Sequence, residues 1–158
     1  MSGEILCNDK LRFAYPEGFH EMTEEELSSL NVLEEGPGSV ITDPQRHIIA
    51  SFGWKPMGGI SFLIVNTKDV FNGMRKQILE PMTAYGVRDG GAITRQLDGE
   101  AAEGFCYEYT AGGTPMYAES YVIKHKKVLY YLHFYARAAL KEESLACWNE
   151  ILASAKWL

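Results

Sequence analysis

Hydrophobic and polar positions alternate along the first fifteen residues and again, over longer stretches, beyond residue 92. "EILCN" and "LRFAY" flank Asn8-Asp9-Lys10 and predict a hairpin of two short strands. Pro16 and Gly18 suit the second and fourth positions of a turn. Thr23, with Glu26 three residues later, carries the capping-box pattern of a short helix with Glu24 and Glu25 in its first turn and Leu27 and Leu30 on its buried side. "HIIASFGW" (47–54) is rich in strand formers. "ISFLIV" (60–65) is continuously apolar and predicts a strand covered on both faces, paired antiparallel with its predecessor across Met57-Gly58-Gly59.

From about Thr67 the period changes to 3.6. Val70, Phe71, Met74, Ile78, Met82 and Tyr85 recur at helical spacing, and Pro81 ends or kinks the helix near Glu80. "AITRQLDG", "GFCYEYT", "MYAESYVIK" and "VLYYLHFYA" predict four strands of a meander, with turns at Gly112-Gly113 and His125-Lys126. Lys141 to Ala155 predicts a closing helix with Leu145, Trp148, Leu152 and Ala155 as its apolar stripe. Strand runs interrupted and followed by helices indicate an α+β fold in a single domain over residues 1–158: an antiparallel twisted sheet with helices on both faces.

Composition narrows the function. The chain has 158 residues, 46% hydrophobic and 23% charged, ordinary for one globular domain. A net charge of −6 argues against non-specific nucleic-acid binding and against docking on anionic lipid, so neither nucleic acid nor a membrane is an expected partner. The three cysteines stand far apart with no C-x-x-C, which argues against a disulfide framework and a structural zinc site. The first residues lack the pattern of a secretory signal, and a cytoplasmic location is the expectation. Metal, nucleotide and nucleophile-elbow motifs are absent, and no cofactor is implied.

The order of elements resembles the superfamily of α/β/α sandwiches shared by the Ran-release factor of the Mog type and the PsbP subunit of photosystem II, and within it the bacterial uncharacterised branch. The likeness rests on "FAYPEGF" (13–19), "MTEEEL" (22–27), "ISFLIVNTKDVF" (60–71), "YAESYVIKHKKVLYYLHFYA" (117–136) and "ACWNEILASAKW" (146–157). It implies a central antiparallel sheet with helices on both sides, and non-enzymatic work on a protein partner or as an assembly factor. Its motifs are patterns of fold and contain no catalytic signature.

One constellation carries candidate chemistry. Seven of the nine tyrosines lie between residues 105 and 135. A turn centred near Gly113 sets Tyr107 beside Glu119 and Tyr109 beside Tyr117. A second, centred near Lys126, sets Glu119 beside His133, Tyr117 beside Tyr135 and Tyr121 beside Tyr131. Tyr107, Tyr109, Tyr117, Glu119, His133 and Tyr135 then share one aromatic face, and a one-residue slip in the second turn dissolves the Glu–His pair. Such a face either packs beneath a helix, or binds a protein partner or a small molecule, or uses Glu119 and His133 as an acid–base couple. Non-catalytic recognition of a protein partner is the reading preferred. His125, among lysines at a hairpin tip, is expected to be solvated, Cys106 to be a small buried hydrophobe, and Trp157 and Leu158, if exposed, to offer a surface for a homodimer.

Overall fold

The computed structural model describes residues 2–29 and 38–158. Strands β1 (Gly3–Cys7) and β2 (Leu11–Tyr15) form the expected hairpin, and β2 also pairs with the C-terminal strand β10 (Lys156–Trp157) in a small three-stranded sheet. The main sheet is antiparallel and has, among the described residues, seven strands: β3 (His20–Glu21), β4 (Gly38–Asp43), β5 (Ile48–Pro56), β6 (Arg88–Leu97), β7 (Glu100–Ala111), β8 (Thr114–His125) and β9 (Val128–Arg137). Their order across the sheet is β3-β4-β5-β9-β8-β7-β6. The helices are α1 (Glu24–Ser29), α2 (Gly59–Ile64), α3 (Thr67–Leu79) and α4 (Lys141–Ala153).

Both arms of the capping box form at α1. The Glu26 amide donates to Thr23 Oγ1 at 3.2 Å and the Thr23 amide donates to Glu26 Oε1 at 3.2 Å. Leu30 lies outside the described residues. Helix α3 starts at an Asn66 cap and stops before Pro81, where a short 3-10 turn follows.

Each face of the main sheet has its own cover. On one, the small sheet and α4 enclose Ile41, Ala50, Phe52, Tyr121, Leu132, Phe134 and Trp148. Trp148 stacks on Phe134 with ring centroids 5.1 Å apart, and Phe13 reaches Phe52 at 4.8 Å. On the other, α3 lays Phe71 and Met74 against Phe105, Tyr107, Ala118 and Val122. The fold is therefore the α+β sandwich expected, with helices on both faces.

The run "ISFLIV" departs from expectation. It forms the helix α2, and Ile60, Leu63 and Ile64 are exposed. Topology supplies the reason. Strand β5 already has β4 on one edge and β9 on the other, so no edge is free to receive another strand. Pro56 and the Gly58-Gly59 pair interrupt the extended chain just before it.

The C-terminus is clasped. Trp157 Nε1 donates to the Leu97 carbonyl at 2.9 Å, the Trp157 amide donates to Asp98 at 3.0 Å, and the indole stacks on His125 at 3.8 Å. His125 also meets Glu100 at 3.1 Å, so it belongs to this clasp and is not a solvated tip. Trp157 is thus partly buried, and of the final pair only Leu158 is largely exposed. Trp157→Ala is expected to destabilise the fold by about 2 kcal/mol, read as a lower urea midpoint at unchanged slope.

Candidate functional site: the tyrosine-rich sheet

The register of the meander decides which tyrosines meet. The turns at Asp98-Gly99, Gly112-Gly113 and Lys126-Lys127 are all two-residue turns with positive φ at both positions. That conformation suits the right-handed twist of paired strands. A two-residue turn is centred between residues, and each of the last two displaces the pairing by one position from a turn centred on Gly113 or Lys126. Cys106 therefore faces Glu119, and Tyr107 faces Ala118. Glu119 faces Phe134, and Ser120 faces His133.

The six candidate residues consequently divide. Tyr107, Tyr109, His133 and Tyr135 share the α3 face, while Tyr117 and Glu119 lie on the α4 face within the core. Glu119 and His133 are separated by the sheet, so the expected acid–base couple is not assembled. The one-residue slip is the physical cause, because strand side chains alternate faces.

On the α4 face Glu119 is a fully enclosed carboxylate. It accepts hydrogen bonds from Tyr117 and Tyr121 at 2.6 Å each, from Trp148 Nε1 at 3.1 Å and from Arg95 Nη2 at 3.4 Å. Arg95 Nε also donates to the Tyr121 hydroxyl at 2.7 Å. Burial, followed by the neighbouring carboxylate, drives the Tyr117 and Tyr121 hydroxyls above the ordinary phenol range, so both remain donors at neutral pH. Gly104 leaves room for the Tyr121 ring, which lies where a β-carbon at that position would be, 2.3 Å from Tyr121 Cδ1. This is a satisfied polar core, closed to substrate.

On the α3 face two aromatic rows flank the small residues of β8. Phe105, Tyr107 and Tyr109 stack along β7, with centroids 4.9 and 6.0 Å apart, and His133 and Tyr135 stack along β9 at 6.3 Å. Ala118 and Ser120 lie between the rows. Ala118 pairs with Tyr107 on one side and with Tyr135 on the other, so a small side chain separates the two rings. Ser120 Oγ is 2.8 Å from His133 Nδ1 and 3.3 Å from the Tyr107 hydroxyl. Ser51, the cross-strand neighbour of His133 on β5, is buried, and its hydroxyl has no hydrogen-bond partner among the described residues.

Helix α3 packs on β7 and β8, and beyond it the face continues over β9 and β5. There Tyr131, His133 and Tyr135 are only partly buried, and Arg137 is exposed. A groove of about 440 Å³ opens at the end of this surface, lined in part by Thr42, Ile49, Met116 and Arg137. Burial pushes the Tyr109 hydroxyl up to about 12 and raises Tyr131 as well. Ser120, Ser51 and Arg137 were not singled out by sequence, and Tyr131, expected beside Tyr121, lies opposite Val122 on the α3 face. Their grouping depends on the offset of the turns, although the density of tyrosines already marked the region.

Burial holds the His133 imidazole low, at about 4. Above the ordinary histidine range the ring is neutral whether the chain is folded or unfolded, and it contributes no pH dependence. As pH falls from about 6.5 toward 4, the unfolded chain takes up a proton that the folded chain refuses, and stability is lost. The loss reaches up to about 3 kcal/mol near pH 4. His133→Gln is expected to flatten that part of the stability–pH curve, measured by urea unfolding between pH 7 and pH 4.

No protein-family model matches the chain, and no curated protein matches its sequence. The solution structure of cyanobacterial PsbP from Synechocystis sp. PCC 6803 superposes with a TM-score of 0.65, covering 96% of this chain and 88% of that one at 14% identity. The chain has the PsbP-like fold. LpqN of Mycobacterium tuberculosis, described as involved in cell envelope biogenesis, is similar with a TM-score of 0.63, over 93% of this chain and 82% of that one at 13% identity. A Bacteroides thetaiotaomicron structure gives a TM-score of 0.60 and 13% identity; all of this chain covers 49% of that one. At such identities the PsbP-like likeness carries the fold and leaves the partner to be argued from the surface. No helix among the described residues is long and apolar enough to cross a membrane.

Proposed function

We propose that this chain is a non-catalytic binding module that holds a segment of a protein partner on the open part of its tyrosine-rich face. The observation that carries the reading is the half-buried row Tyr131, His133 and Tyr135, which leads into the groove beside Arg137. Tyrosine offers a large, rigid contact area with a polar tip, and arginine at the rim offers a charged donor. Enzymatic use of this face has less support. The Ser120–His133 contact places a candidate nucleophile where it is fully buried, and Glu119 is on the far side of the sheet from His133. The three cysteines are free thiols, which supports work in a reducing compartment such as the cytoplasm.

The paired substitution Tyr131→Ala and Tyr135→Ala tests the reading. A tagged wild-type chain is expected to retain a stoichiometric protein from lysate of its source at low salt. The double variant is expected to bind that protein at least about tenfold more weakly while keeping a cooperative thermal transition. Full retention by the folded double variant contradicts the site.

A further inference from the structure

Helix α2 sits at the end of the main sheet where β5 stops and the β8–β9 turn lies. The Met57 amide donates to the Lys127 carbonyl at 2.8 Å, and Lys124 Nζ donates to the Val65 carbonyl at 2.9 Å, so both ends of the α2 segment are tied to that turn region. Ile60, Leu63 and Ile64 are 74%, 82% and 73% exposed. Their i, i+3, i+4 spacing puts them on one side of the helix, where they form a contiguous apolar tip. Lys55 precedes the tip, Lys68 follows it, and Lys126 and Lys127 occupy the adjoining turn, all four exposed. Asp69 is an exposed acid in the same stretch.

We propose that this end of the molecule docks on an anionic lipid bilayer, with Ile60, Leu63 and Ile64 entering the acyl boundary and the lysines meeting the headgroups. An apolar tip flanked by cations is the composition that binds such a surface. The overall charge of −6 is unevenly placed: the acids nearest the lysine turn are Asp98 and Glu100 of the adjoining β6–β7 turn, and His125 engages Glu100 at 3.1 Å. Glu24, Glu25 and Glu26 cluster in α1, and Glu142 and Glu143 open α4, which follows the opposite end of β9 from the lysine turn. A second copy is a poor occupant. Two-fold pairing through α2 would bring the lysines of both copies together, and three aliphatic side chains fall well short of the roughly 800 Å² per partner of a stable interface. Side chains exposed to this degree suit a fluid medium that yields around them.

Co-sedimentation with vesicles of phosphatidylcholine, with and without about one-third phosphatidylglycerol, tests the proposal. The wild-type chain is expected to bind the phosphatidylglycerol vesicles, to bind pure phosphatidylcholine far more weakly, and to be released by high salt. Leu63→Glu, and separately Lys126→Glu with Lys127→Glu, are expected to reduce partitioning about tenfold or more at an unchanged thermal transition. Tyr131→Ala with Tyr135→Ala is expected to leave it unchanged, which separates this surface from the proposed partner face. Absence of binding to phosphatidylglycerol vesicles overturns the proposal. So does vesicle binding that survives Leu63→Glu, or a Leu63→Glu variant that loses only self-association or protein capture.

Discussion

Glu119→Ala is expected to destabilise the protein by about 3–5 kcal/mol, the range for breaking a buried charged network by removing one partner. Three of its four donors, Tyr117, Tyr121 and Trp148, are buried and would lose their acceptor with no water to replace it. Arg95 suffers less, because its side chain remains 27% exposed and can rehydrate. Glu119→Gln is expected to fall between alanine and wild type, since it keeps one acceptor oxygen but turns an amide N–H₂ toward donors. Urea unfolding at neutral pH checks both. A loss below about 1 kcal/mol for Glu119→Ala would mean that the network contributes little to the folded state.

Trp148→Ala carries the second large effect, also about 3–5 kcal/mol. The indole is fully buried, stacks on Phe134, lies 6.2 Å from Phe52 and donates to Glu119. Its loss opens a cavity at the junction of α4 with the sheet and removes one donor from the carboxylate. Trp148→Phe separates the two contributions by keeping most of the ring and deleting the N–H. Because Trp148 and Glu119 share a hydrogen bond, the two alanine substitutions are expected to be non-additive by about 1 kcal/mol or more in a double-mutant cycle. Strict additivity would show that the bond contributes nothing of its own.

These two residues also show how far the chain could be read from its pattern. Trp148 is legible as core, because Leu145, Trp148 and Leu152 recur at helical spacing, and the structure buries Trp148 and Leu152. The first hairpin, the Thr23–Glu26 box, α3 and the four strands of the meander follow from equally local signals. Glu119 was legible as important, yet its partners were not. They depend on the offset of two turns, and Lys126-Lys127 contains neither glycine nor asparagine to mark a two-residue turn with positive φ. One residue of offset exchanges His133 for Phe134 opposite Glu119 and turns an apparent catalytic pair into a structural carboxylate. The run "ISFLIV" was ambiguous for a different reason. A short apolar segment reads equally as buried strand or helix, and only the occupied edges of β5 decide against pairing.

The division of labour between the faces follows from the same register. The α4 face collects the hydrogen-bonded carboxylate and the largest rings under continuous cover, and serves stability. The α3 face is covered over β7 and β8 but leaves Tyr131 and Tyr135 partly exposed and Arg137 exposed. Substitutions in the first group should mainly lower stability, while those in the second should weaken binding at a smaller cost in stability.

Site-specific photo-crosslinking tests this assignment most directly. A benzophenone amino acid is placed at Arg137, beside the groove, or at Glu150, on the exposed side of α4. Illumination of the chain with its captured partner should give a covalent product from position 137 and none from position 150. A product from position 150 alone would contradict the account and move the binding surface to the opposite side of the molecule.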